Sequence, residues 1–405
     1  MLNTESVFPG LEKLISSERM QRVDSAVQAL FNRTLTYLPD GSPFIITGDI
    51  PAMWLRDSTF QLKPLLHSKN PEVVDLLVEA SKSQIRFFLI DPYANAFNPE
   101  PNGACWHKDF PDQSPWVFER KFELDSWAAI LHLARMIKQN YGRVDHLQSE
   151  FADALTLMVD LAIQEQRHDP KRYRFTRNNG VAHDSLSHDG YGAPAGYTGM
   201  VYSAFRPSDD ACTYGYHIPS NLYFLNELEA LPEEHLTDRV QKLISEIRAG
   251  ITEFGIVDGR YAYEVDGLGN FLLIDDANVP SLLSIPYLGI ATEMDQTYQA
   301  TRNAVLSNEN PFYFSGSKAR GIGSQHTPIN YIWPIAIAIE ALTDSDQQSM
   351  EGSLRMLEQS DGGTGYMHES FDANDDKIFT RAWFSWADMT YVELVLKSVN
   401  YSYSH

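Results

Sequence analysis

T-G-D-I-P-A-M-W-L-R-D-S-T, from Thr47 to Thr59, breaks a helical pattern that resumes directly after it. Gly48 and Pro51 punctuate the backbone. Asp49 and Asp57 supply carboxylates, Arg56 a fixed cation and Trp54 a flat apolar plate. Trp, Arg and Asp within W-L-R-D are costly to leave exposed or unpaired, so the stretch is more than a spacer. It is the first of several long polar connections, and their spacing decides the fold.

Outward from this stretch, apolar residues recur at helical spacing. A first helix is expected over 17–37, a second from about Asp57 or Ser58 to 67, and a third over 71–90. Others follow over 122–141, 144–167, 208–230, 233–254, 279–288 and 295–306. A tenth ends near Leu342, an eleventh near Ser360, and the last spans 383–400. Pro207 and Ser208 mark the start of the sixth, with Ser208 as its N-cap. One hairpin is evident, R-Y-A-Y-E-V-D and F-L-L-I-D-D joined by G-L-G-N.

The links between these roughly twelve helices alternate, long then short, to the end of the chain. Short links make antiparallel neighbours. Every long connection then falls at one end of the molecule. This predicts an all-α chain, an (α/α)6 toroid with a small β-hairpin in its loops, as a single domain over residues 1–405.

Composition narrows the partners. A net charge of −22 argues against nucleic acid, anionic membranes and polyanionic substrates. A neutral small molecule is the simplest complement. Cys105 and Cys212 give no disulfide framework. The start lacks a basic segment followed by an apolar run, and no window reaches the roughly 18 apolar residues of a span. A soluble, cytoplasmic monomer is the expectation.

The long connections carry the chemistry. Asp57 at a helix start is explained equally well by capping. Asp209 and Asp210 open the expected sixth helix, where the helix dipole alone accounts for one of them. Successive helical residues point about 100° apart, so only one is expected to face a pocket. Glu369 lies in G-G-T-G-Y-M-H-E-S-F-D, with His368 and Ser370 able to orient it; an exposed loop acid is the plain alternative. H-D-S-L-S-H-D-G, from His183 to Gly190, has metal-ligand residue types but no H-E-x-x-H pattern and no cysteine pair, so no metal is assigned. No G-x-S-x-G elbow is present. Carboxylates, aromatics and hydrogen-bonding side chains remain, the equipment of glycoside hydrolysis. Two carboxyls from opposite sides of a wide toroid fit a gap of about 6.5–9.5 Å, which implies inversion.

T-G-D-I-P-A-M-W-L-R-D-S, F-R-P-S-D-D-A, and M-H-E-S-F-D followed by R-A-W-F-S-W-A-D together resemble glycoside hydrolase family 125, with likeness over residues 22–399. The resemblance implies a metal-independent, inverting exo-α-1,6-mannosidase without cofactor, acting on non-reducing terminal α-mannose of oligosaccharides and N-glycan fragments. It implies an aspartate of S-D-D as general acid, Asp209 or Asp210, with Asp210 preferred. Glu369 is the implied general base. Arg56 and Asp57 would grip mannose at the pocket floor. Trp54, Trp106, His107, Arg206, Gln325, His326 and Arg381 would form the wall. The alternatives are another (α/α)6 enzyme, such as a sugar epimerase working through histidines, and a non-catalytic carbohydrate-binding protein.

Overall fold

The computed structural model describes residues 2–168 and 172–401. Eleven helices build a toroid: α1 Ser17–Ala29, α2 Leu55–Leu62, α3 Pro71–Ile90, α4 Leu124–Tyr141, α5 Ser149–Glu165, α6 Ile218–Glu229, α7 Asp238–Phe254, α8 Gln296–Val305, α9 Pro334–Leu342, α10 Gln347–Glu358 and α11 Ser385–Ser398. Short helical turns at Thr4–Val7 and Ser187–Gly190 lie outside the ring. α2, α4, α6, α9 and α11 pack side by side as an inner layer, and the remaining six stand outside them. The sequence shows why. All residues of α2 and α9 are buried, as an inner element with neighbours on every side requires. α7 buries one stripe, Val240, Leu243, Ile244, Ile247 and Ile251, at the spacing of an outer, amphipathic helix.

The sixth inner position is not a regular helix. The expected helix over 279–288 is instead a run of turns, held by backbone bonds such as Leu288 N to Ser284 O at 3.1 Å. Two prolines, Pro280 and Pro286, each remove an amide donor from that segment. Other boundaries also move. α1 stops at Ala29, passes through a wide turn over Leu30–Thr34 and becomes the strand Leu35–Tyr37, paired with Pro43–Ile45. α6 starts at Ile218, not Ser208, and the His217 ring accepts from Ser220 N to cap it. Ser208 instead donates its hydroxyl to Asp276 Oδ2 at 2.9 Å.

The expected hairpin is present as Glu264–Val265 against Phe271–Leu272, but it is one part of a wider scheme. Tyr216–His217 pairs with its other edge. Met53–Trp54, Ala96–Phe97 and Val117–Glu119 form a second three-stranded sheet. Tyr331–Ile332, Ser370–Asp372 and Asp375–Thr380 form a third. Each sheet joins two successive long connections and feeds a strand into the start of an inner helix. The loops at this end are therefore fixed in pairs.

At the toroid axis the Phe60 ring stacks on Trp386 at 5.4 Å with an interplanar angle of 10°. His132, Tyr223 and Tyr287 surround Phe60 at 6.1, 6.3 and 6.1 Å. Rings from five inner elements thus plug the ring's centre at spacings typical of favourable aromatic pairs.

Candidate active site

Above that plug lies a cavity of about 290 Å³. All six long connections reach it: the first through Thr47 and Trp54, the second through Trp106, Glu119 and Lys121, the third through Arg177, Asp184 and Asp209. The fourth supplies Asn278, the fifth His326 and Trp333, and the sixth Glu369, Arg381 and Phe384. Alternating link lengths place residues from across the chain around one space.

The floor is built on Arg56, in the first turn of α2 and 2% exposed. Its Nη1 donates to Glu123 Oε2 at 2.6 Å and Asp125 Oδ2 at 3.0 Å, and Nη2 lies 3.3 Å from Asp57 Oδ1. The Thr47 hydroxyl donates to Asp57 Oδ2 at 2.6 Å, tying the opening stretch to the floor. Burial raises the Asp57 and Asp125 carboxyls above their ordinary range, and Arg56 opposes that rise. A buried guanidinium is costly unless paired, and Arg56 meets three carboxylates here.

One wall comes from the second and third connections. Lys121 Nζ lies 3.2 Å from Asp184 Oδ1 and donates to the Asp209 carbonyl at 2.6 Å. Arg177 Nη2 donates to both Asp109 Oδ2 and Glu119 Oε2 at 2.8 Å. Asn95 Nδ2 reaches Glu119, Glu123 and Asp209.

The two adjacent aspartates part company. Asp209 has φ +67°, the left-handed region that a non-glycine residue enters only when its surroundings hold it there. Asp209 lines the cavity. Burial would raise its carboxyl, but Lys121, Arg56 and His326 overcome this and hold it well below the usual range. The Asp210 side chain is fully buried behind the wall, with Oδ1 3.1 Å from His326 Nδ1. The preference for Asp210 as the pocket-facing acid is therefore corrected to Asp209. The cause is local: S-D-D is a loop, not a helix start, and its turn points Asp209 inward.

The sixth connection carries Glu369, with Arg381 Nη1 3.5 Å from Oε1. Arg381 has φ +42° and grips Asp49 Oδ1 through Nε at 2.8 Å and Nη2 at 2.6 Å. It also reaches the Thr47 carbonyl at 3.1 Å, so it joins the first and sixth connections beside Glu369. Burial would lower the His326 imidazole, yet Asp210, with help from Glu369 and Asp209, pushes it up to about 10. It is a cation at neutral pH.

Trp54, Arg56, Asp57, Trp106, His107, His326 and Arg381 all line the cavity. Trp106 is 60% exposed at the mouth, its edge against Phe118. Two expected wall residues lie elsewhere. Arg206 is buried away from the cavity and donates through Nε to Glu264 Oε1 at 2.6 Å, because its neighbour loop needs a strut. Gln325 faces solvent, since the turn at Ser324 directs only His326 inward. Sequence reasoning missed Asn95, Glu119, Lys121, Glu123, Asp125 and Arg177. The run F-E-R-K-F-E-L-D from Phe118 to Asp125, dense in charge beside buried aromatics, was the available signal.

The structure is a helical toroid of the (α/α)6 class whose loop end surrounds a small, acid-lined pocket. The chain belongs to the metal-independent α-mannosidases of glycoside hydrolase family 125, whose model matches residues 10–396. It is 39% identical to a Streptococcus pneumoniae protein of the metal-independent α-mannosidases, solved as a non-productive complex with α-1,6-mannobiose. That match has a TM-score of 0.93 and covers 97% of this chain and 99% of the other. The meiotically up-regulated gene 157 protein of Schizosaccharomyces pombe is 38% identical, over 87% of this chain and 76% of its own. A glycosidase bound to glucose shares the fold alone, at 13% identity and TM-score 0.60, over 96% of this chain and all of its own. Among the described residues no helix is long and apolar enough to cross a membrane.

Proposed function

We propose that this α-mannosidase is an inverting, exo-acting α-1,6-mannosidase that removes non-reducing terminal mannose from oligosaccharides, including fragments of N-glycans. Asp209 is the general acid and Glu369 the general base that activates water. The observation that carries the reading is the placement of Asp209 and Glu369 on separate connections around one cavity. That cavity sits at the small end of ligand-site volumes and suits one sugar ring. The floor of Arg56, Asp57 and Trp386 ends the cavity, which favours a chain terminus over an internal sugar. The likeness to a protein that binds α-1,6-mannobiose supports the linkage. The polar lining suits a hydroxyl-rich, uncharged ligand, in keeping with the acidic chain. Two unpaired cysteines, Cys105 and Cys212, fit a reducing compartment such as the cytoplasm.

An epimerase reading needs a neutral histidine in the cavity as proton acceptor. Of the two cavity histidines, His107 and His326, the latter is held charged by Asp210 and is poorly suited to that task. The test is hydrolysis of α-1,6-mannobiose by the wild type, Asp209→Asn and Glu369→Gln. Each variant should lose at least about 10²-fold in kcat, the usual worth of a general acid or base. Turnover of Glu369→Gln within a few-fold of wild type would refute Glu369 as the base.

A further inference from the structure

Behind the cavity wall sits a carboxyl that no sequence motif singled out. We propose that Glu123 is the proton partner of Asp209: the two carboxyls hold one proton between them, and Glu123 resupplies Asp209 for each bond cleaved. The inference rests on the reading of Asp209 as general acid and goes beyond it, since Glu123 touches no substrate.

The argument begins with a count of hydrogens. Asn95 is fully buried, and its Oδ1 accepts from Lys121 N at 3.1 Å, which fixes the amide so that Nδ2 faces the carboxyls. Nδ2 lies 3.0 Å from Glu119 Oε1, 3.1 Å from Glu123 Oε1 and 3.1 Å from Asp209 Oδ1. An amide nitrogen carries only two hydrogens. Glu119 has Arg177 on its other oxygen at 2.8 Å. Glu123 Oε1 and Asp209 Oδ1 therefore crowd the same amide nitrogen, with Glu119 as a third acceptor for its two hydrogens. Ionised carboxylates only accept, so a proton held between Glu123 and Asp209 relieves that crowding.

The surrounding charge leads to the same place. Glu123 precedes the first turn of α4. Arg56 faces it from α2, Asp125 and the Ser126 hydroxyl from its own helix, Asn95 from the second connection, and Asp209 from the third. Asp57, Glu119, Glu123, Asp125, Asp184 and Asp209 are held by Arg56, Lys121 and Arg177. Six acids face these three cations, four with His326, in a largely buried cluster, and such a cluster retains a proton. Burial, aided by Asp209 and Asp125 against the pull of Arg56, raises Glu123 well above the ordinary glutamate range. Asp209 is drawn below its own range, so of the two Glu123 is the better holder of the proton.

The proton balance closes. The Glu123 proton crosses one hydrogen bond to Asp209. Asp209 delivers it to the glycosidic oxygen as the C1–O bond breaks, and the bond's electron pair stays on that oxygen. Glu369 takes a proton from water, and the remaining hydroxyl bonds to C1. Glu369 releases its proton to solvent, and one proton returns to the Glu123–Asp209 pair.

Glu123→Gln keeps the shape and removes the titrating group. It should lower kcat on α-1,6-mannobiose about 10²-fold. It should also shift the alkaline limb of the kcat/KM profile to lower pH, since Asp209 would then titrate alone. On 2,4-dinitrophenyl α-mannoside, whose leaving group needs no proton, the loss should stay within a few-fold. Equal losses on both substrates, or an unmoved alkaline limb, overturn the inference alone. A wild type inert on both mannosides overturns the mannosidase reading and this inference with it. A measurement on the wild type guards against a misfolded variant: with 13C-carboxyl-labelled glutamate, one glutamate carboxyl should remain protonated at pH 7. If every glutamate is ionised there, the shared proton does not exist.

Discussion

Asp209 and Asp210 differ by one position in the chain and by a wall in space. Asp209 borders the cavity, and Asp210 braces His326 from behind. Asp210→Asn is the variant that separates these roles. In the wild type His326 keeps its charge up to about pH 10, because Asp210 stabilises the imidazolium against the lowering effect of burial. Without that carboxylate, burial is opposed only by the more distant Glu369 and Asp209, so the charge should be lost at lower pH. The kcat/KM profile of Asp210→Asn should therefore gain a fall between about pH 6 and 8 that the wild type lacks. An unchanged profile would show that the His326 charge plays no part in turnover. The sequence led to the expectation that one of the pair should point inward, and it named Glu369, which lines the cavity. It could not show which aspartate, because the answer lies in a positive φ at Asp209 within a stretch that reads as a helix start. Arg206 misled for a related reason. An arginine beside a site motif looks like a ligand contact, and only the fold reveals Glu264 waiting for it.

At the scale of elements, two contacts hold the first and sixth connections where they are. Gly48 bridges Phe384, and a Cβ at Gly48 would stand 3.0 Å from Trp383 O and 3.1 Å from Ser385 N. Its φ of +112° is also closed to ordinary side chains. Gly48→Ala should destabilise the fold by on the order of 1–3 kcal/mol and loosen the first connection from the start of α11. Chemical denaturation measures the first effect, and a raised KM the second. Asp388, in α11, accepts from Met367 N at 2.8 Å and Trp383 Nε1 at 2.9 Å, which anchors the loop bearing Glu369. Burial lifts its carboxyl from 3.8 to about 7. Across that window the folded chain holds a proton that the unfolded chain has lost. This contribution to stability is fully present below pH 3.8 and gone above about pH 7. The melting temperature of Asp388→Asn should accordingly fall less steeply from pH 5 to 8 than that of the wild type. Identical slopes would contradict the assignment.

The same scale shows what periodicity could and could not convey. Long amphipathic helices such as Pro71–Ile90 were legible to the residue. The two-residue strands that join successive connections were not, since Met53–Trp54 and Ala96–Phe97 pair across forty residues and show no pattern of their own. The turns over 281–290 read as a helix because their apolar residues face the same core that an inner helix would face.

For the whole molecule, alternation of long and short links was the decisive signal. It converts a list of scattered polar residues into one end of a ring, and the cavity draws on all six connections. Three small sheets join those connections in pairs and tie each to the start of an inner helix. In the proposed reaction the floor of Arg56 and Asp57 would hold one sugar, the mouth opens past Trp106, and Asp209 and Glu369 stand on different connections. A water molecule between Glu369 and the sugar would then attack from the face opposite the leaving oxygen. The direct test is proton NMR of α-1,6-mannobiose hydrolysis, read before mutarotation. The account predicts β-mannose as the first new anomer; α-mannose appearing first would contradict it.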